Sequence, residues 1–155
     1  MAHDSLSSLL QTVDRQTIVA EIADLVRVKI QERSGIRGTI IRKGYNSALK
    51  LRPDIDKRGV NYLFDDLVLA LEPHYAAFLG SGNADMRQFF EQHQEAVASS
   101  LLGAVDNKAA TLNNKQLRAL FKTFRKGAEA EIVPVVPDIG ELIGGYHNQA
   151  VAQAQ

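Results

Sequence analysis

Two clusters of basic side chains are the residues of this chain best equipped for chemistry. Arg37, Arg42, Lys43 and Lys50 lie close together in one segment, and Lys115, Arg118, Lys122 and Arg125 recur at three- and four-residue spacing in another. That spacing lines one face of a helix with guanidinium and ammonium groups. The chemistry open to such a face is capture of phosphate-bearing anions, whether nucleic acid or membrane headgroups.

The first cluster belongs to Ser34–Pro53, SGIRGTIIRKGYNSALKLRP. Gly35 suits the left-handed position that closes a preceding helix, while Gly38 and Gly44 leave room for a second backbone or a ligand. A helix starting near Ile36 would place its unpaired N–H groups beside Arg37, with Lys43 about two turns on, unless Ser34 or Thr39 caps them. A purely structural reading stands beside this one. In it, Gly38 and Gly44 permit a close helix crossing, Arg37 pairs with an acid of another helix, and Lys43 is solvated. The second cluster has the same alternative, because Lys and Arg also form the ordinary solvent face of a docked helix.

Specific catalytic and ligand motifs are not found. No phosphate loop fits, since Gly38 is followed by Lys43-Gly44 rather than by Gly-Lys-Ser/Thr. The Gly35-Ile36-Arg37-Gly38 run matches the GxxG of KH modules, but no strand candidates flank it. His3, His74, His93 and His147 are scattered and there is no cysteine, so neither a zinc pattern nor a disulfide arises. No nucleophile elbow occurs. The reading therefore assigns no catalytic residue, no metal and no cofactor, with an enzyme using a cleft near His93 or Arg37 kept as an alternative.

Charge distribution adds to the case for the basic segments. The formal net charge is zero, yet residues 27–58 carry ten basic against three acidic side chains, 59–107 one against seven, and 108–126 six against none. Two explanations follow from this blocking: basic helices neutralised by acidic ones, within the fold or across a homo-oligomer interface, or both basic blocks sharing one exposed face that binds an anionic partner. No apolar run is long enough for a transmembrane helix, and the start of the chain lacks the basic region of a signal peptide. The absence of cysteine suits a cytoplasmic setting.

The elements that must carry these residues are all helical. Periodicity and capping signals predict helices over 14–33, 36–51, 57–71, 73–79, 84–105 and 113–128, a last one from 137 to 143, and a short one over 5–12. Helix 36–51 is expected to bury Ile36, Ile40, Ile41, Ala48 and Leu49, with Tyr45 on or near that face as a core tyrosine. Helix 113–128 is expected to bury Leu117, Leu120, Phe121, Phe124 and Ala128. Gly80-Ser81-Gly82-Asn83 reads as a loop, His93 as a satisfied, partly buried histidine, and Gly144-Gly145 as a helix stop. With 155 residues, 45% of them hydrophobic, the chain can bury one sizeable core. The expected fold is an all-α, single-domain bundle of about six or seven helices spanning 1–155, flexible at 1–4 and 148–155.

The runs Ser34-Gly35-Ile36-Arg37-Gly38 with Lys43, Tyr45 and Lys50, and Leu71-Glu72-Pro73-His74-Tyr75, resemble a family of small all-helical actinobacterial proteins without assigned function. The resemblance extends over nearly the whole chain and implies a cytoplasmic bacterial helical protein. It brings no activity and no catalytic residues. The sequence thus points to a non-enzymatic binding protein whose basic segments engage an anionic partner, with a self-associating protein of internally neutralised charge as the alternative.

Overall fold

The computed structural model describes residues 4–154, apart from the side chains of Leu117, Leu120, Thr123 and Phe124. Its elements are α1 (Leu6–Leu10), α2 (Arg15–Gln31), α3 (Gly35–Leu51), α4 (Ile55–Ser81), α5 (Met86–Gln92), α6 (Gln94–Ala109), α7 (Lys115–Arg125), α8 (Ala128–Ile132), a 3-10 turn (Val133–Val135) and α9 (Val136–Ala154). The fold is all-α: seven helices of seven or more residues, two of five, and no strand among the described residues. Contacts group the chain into two compact units, one formed by residues 14–64 and the other by 4–13 with 65–154. The division falls inside α4, after Phe64.

In the 14–64 unit, α2 starts where Asp14 accepts a hydrogen bond from the Thr17 N–H at 3.2 Å, as its sequence predicts. The chain then reverses through Ser34, which is extended, and Gly35, whose φ of +79° only glycine adopts readily. Gly35 therefore has the expected left-handed backbone but uses it to enter α3. Gly38 lies one turn later against the end of α2, where a Cβ would stand 2.9 Å from the Arg33 carbonyl carbon. The close backbone of the α2–α3 turn is the reason for this glycine.

The larger unit is assembled around the second half of α4 and the α5–α9 pair. Tyr75, Phe90, Leu6, Leu9, Val97 and Val136 are fully buried in it. Two residues of the Leu71–Tyr75 run tie α4 to other helices through their side chains at 3.0 Å or less. The Glu72 carboxylate accepts from the Leu6 and Ser7 backbone N–H groups at 3.0 and 2.7 Å, capping the start of α1. The His74 ring meets the Ser100 hydroxyl of α6 at 2.8 Å. Tyr75 adds a third tie, its hydroxyl lying 3.1 Å from His147 Nδ1 of α9. These contacts explain why α4 passes through Pro73 instead of stopping before it. An interior proline forfeits one helical hydrogen bond, at about 3 kcal/mol, and buried Leu71, Tyr75 and Phe78 together with the polar ties offset it.

Two further boundaries differ from expectation. The helix anticipated over 84–105 is broken at His93, whose backbone leaves helical geometry (φ −118°, ψ 24°). Its N–H bonds to the Phe90 carbonyl, and its ring takes the Phe89 carbonyl at 2.8 Å. A carbonyl only accepts, so Nδ1 carries the proton. The last helix does not stop at Gly144-Gly145 but continues to Ala154, with Ala150 buried; Gln155 lies outside the described residues. A Cβ on Gly140 would sit 2.8 Å from both the Met86 carbonyl oxygen and Phe90 Cβ, and one on Gly144 would sit 3.2 Å from Met86 Cβ. Glycines one turn apart thus let α9 approach α5 closely along its length.

This contact gives a direct test. Gly140→Ala is expected to destabilise the protein by about 1–3 kcal/mol in urea unfolding, although alanine is the better helix former. Gly103→Ala, in the interior of α6 where an added Cβ meets nothing within 4 Å, should instead be neutral or stabilise by up to about 1 kcal/mol.

Candidate anion-binding faces

The orientation of α3 is set by a buried carboxylate. Asp56, in the first turn of α4, has a side chain only 5% exposed. One of its oxygens accepts from the Tyr45 hydroxyl at 2.6 Å and from Arg27 Nη2 at 2.7 Å, and the other accepts from the Lys57 backbone N–H at 2.9 Å. α2, α3 and α4 therefore converge on one anion. Burial pushes the Asp56 carboxyl up, but the bonds from Tyr45, Arg27 and Lys57 outweigh that and hold it below the usual carboxylate range. Burial, followed by the hydrogen bond to Asp56, pushes the Tyr45 phenol up to about 12. Tyr45 is thus a structural tyrosine, as expected.

With Tyr45 held inward, the remaining positions of α3 follow from the helical period. Gly38, Ile41, Arg42, Tyr45, Ala48 and Leu49 share the inner face and are buried or half-buried. On the opposite side, Lys50, Lys43, Ile36, Ser47, Ile40 and Leu51 fall within an arc of about 100°, and all six are exposed. This corrects the expected core face. Ile36 and Ile40, anticipated as buried, are 83% and 66% exposed, and Leu51 at the end of the helix is 90% exposed. α3 carries apolar residues on both sides, and the tyrosine–aspartate bond selects which side is covered.

The basic residues of α3 separate accordingly. Lys43 and Lys50 lie on the outward arc and make no hydrogen bond or ion pair among the described residues. Arg42 is half-buried on the inner side and donates to the Thr39 hydroxyl at 3.2 Å. Arg37 is exposed but has an interaction within the chain. The Ser34 side chain does not cap α3, and the Thr39 hydroxyl bonds back to the Gly35 carbonyl at 3.0 Å.

α7 belongs to the other unit and sorts its charges in the same manner. Arg125 forks onto Asp106 with bonds of 2.8 and 3.2 Å, and Arg118 Nε donates to the Leu112 carbonyl at 2.7 Å. Lys115 and Lys122 are exposed and make no hydrogen bond or ion pair among the described residues. Phe121 is half-buried, whereas the expected core positions Leu117, Leu120 and Phe124 lie outside the described side chains.

The other titratable clusters serve packing. His93 is exposed at the α5–α6 junction, with its ring 4.4 Å from that of Phe89. The His74 ring is lowered from its ordinary pKa by burial and then by His93, and that of His147 by burial. No group of three or more residues able to hold a metal ion occurs among the described residues. The signal for the polar ties of Glu72, His74 and Tyr75 was present in the Leu71–Tyr75 run, but their partners are 26 to 72 residues away in sequence.

Residues 6–147 match the family model described as a family of unknown function (DUF6918). No curated protein and no solved structure matches the chain.

The Asp56 cluster predicts a pH dependence of stability. Asp56 has a depressed folded pKa, so its contribution is present above the unfolded carboxylate pKa of about 3.9 and is lost as pH falls through the lower folded value. Tyr45 is raised, so its contribution is complete below pH 10 and is lost as pH rises toward about 12. In thermal unfolding followed by circular dichroism, Tyr45→Phe should cost about 1–2 kcal/mol at pH 7. Asp56→Asn should likewise lower the midpoint at pH 7 and flatten its fall on acidification.

Proposed function

The chain belongs to this family of unknown function, DUF6918, and we propose that it is a non-catalytic binding protein that meets phosphate-bearing anions through the basic faces of α3 and α7. The observation that carries the reading is how these helices use their charges. Neither contains an acidic residue, and Lys43, Lys50, Lys115 and Lys122 stand exposed without an ion pair among the described residues. Arg42, Arg118 and Arg125, by contrast, are committed to bonds within the chain. Exposed lysines are suited to a diffuse, salt-sensitive partner, because a flexible ammonium contacts phosphate as a point charge and needs no fixed bidentate geometry. Nucleic acid and membrane headgroups share this phosphate chemistry. A bacterial cytoplasmic setting is part of the proposal and rests on the resemblance carried by the Ser34–Gly38 and Leu71–Tyr75 runs. No helix of the described residues is long and apolar enough to cross a membrane.

Elution from heparin against sodium chloride tests this reading. The parent protein is expected to be retained at low salt. Lys43→Gln/Lys50→Gln and Lys115→Gln/Lys122→Gln should each elute earlier, and each pair should lower the slope of log affinity against log salt by about 1.5. Arg125 is kept in these variants because its bond to Asp106 supports the fold. Passage of the parent straight through the column at low salt would overturn the proposal.

A further inference from the structure

We infer that the outward arc of α3 docks on the surface of an anionic phospholipid bilayer, an inference that rests on the anion-binding reading above and narrows its partner. The arc combines two properties that phosphate binding alone does not require together. Ile36, Ile40 and Leu51 are 83%, 66% and 90% exposed along one side of the helix. Lys43 and Lys50 stand on the same side with no ion pair among the described residues. At the rise of an α-helix, the apolar positions extend over about 22 Å, so α3 would lie along a surface instead of presenting only one end.

Charge and hydropathy together choose the occupant. A nucleic-acid backbone satisfies the lysines but offers no continuous apolar layer for three aliphatic side chains. A second copy meeting the same face in a two-fold contact would bring Lys43 and Lys50 against like charges. The boundary between headgroups and acyl chains meets both demands. Its apolar side accepts Ile36, Ile40 and Leu51, while lysine stems lie along the apolar surface and deliver their ammonium groups to lipid phosphates. The part-buried bonds of Tyr45 and Arg27 to Asp56 keep this arc turned outward without the bilayer. The binding face is therefore prepared in the free protein.

The test uses the full chain and extruded vesicles of phosphatidylcholine with or without phosphatidylglycerol. The chain contains no tryptophan, so Ile40→Trp supplies a single reporter whose emission should shift to the blue only with the anionic vesicles. In co-sedimentation, Ile36→Ser/Ile40→Ser should reduce partitioning by about tenfold or more while leaving heparin elution unchanged. Lys43→Gln/Lys50→Gln should reduce partitioning by about ten- to thirty-fold and also advance heparin elution. Circular dichroism should show unchanged helix content, because the substituted side chains are exposed, and Leu51→Ser provides an independent variant of the stripe. Vesicle binding insensitive to the isoleucine and leucine changes would overturn the inference. Heparin retention without vesicle binding would overturn it too and leave the general anion-binding reading standing, with nucleic acid as the next partner to assay. Failure of both assays would remove both. Concentration-dependent self-association abolished by Ile36→Ser/Ile40→Ser, without vesicle binding, would assign the stripe to a second copy.

Discussion

The side-chain carboxylate of Asp56 is the interaction on which the organisation of α2, α3 and the start of α4 depends. A nearly buried anion must be paired and hydrogen-bonded to be tolerated, and Asp56 meets that need with one donor from each of the neighbouring helices and one from the Lys57 backbone N–H. The consequence reaches beyond stability. α3 has aliphatic residues around much of its circumference, so hydrophobic burial by itself does not choose its rotation. The directional bond from Tyr45 does, and it leaves Ile36, Ile40, Lys43 and Lys50 on the outside.

The other unit relies on close backbone approach and on polar ties to a proline-containing helix. Gly140 and Gly144 let α9 settle on α5, and bulkier residues would meet the Met86 carbonyl or the Phe90 side chain. The ion pairs of Arg87 with Asp138 and Glu141 lie across the same helix pair, at 2.7 and 2.9 Å. They fix register at a partly solvated edge more than they add to stability. The Leu71–Tyr75 run has the complementary task of connecting α4 to α1, α6 and α9 through Glu72, His74 and Tyr75.

Part of the blocked charge of the sequence is neutralised within the chain. Some basic side chains neutralise acidic ones within their unit: Arg27 pairs with Asp56, Lys108 with Asp66, and Arg125 with Asp106. The planar guanidinium forks are used mainly for these internal bonds, while several lysines remain at the surface. This division follows from chemistry, since a guanidinium holds a fixed geometry against a carboxylate and an ammonium retains its hydration at lower cost in water.

The sequence by itself determined the all-helical class, most helix starts, the left-handed turn at Gly35 and the two basic segments. Each of these depends on residues within a few positions of one another: the 3.6-residue period, Asp14 as a cap, and the freedom of glycine. Only the tertiary structure decided that α4 continues through Pro73, that the chain bends at His93, that Gly140 and Gly144 sit inside a helix, and that Ile36 and Ile40 face outward. Apart from the bend at His93, those outcomes depend on partners distant in sequence. Glu72 reaches α1, Gly140 faces Met86, and Tyr45 reaches Asp56 across the turn that joins α3 to α4. Local pattern records that a helix has two apolar sides; which side is covered is settled by the neighbour that supplies a carboxylate or a closely approaching backbone.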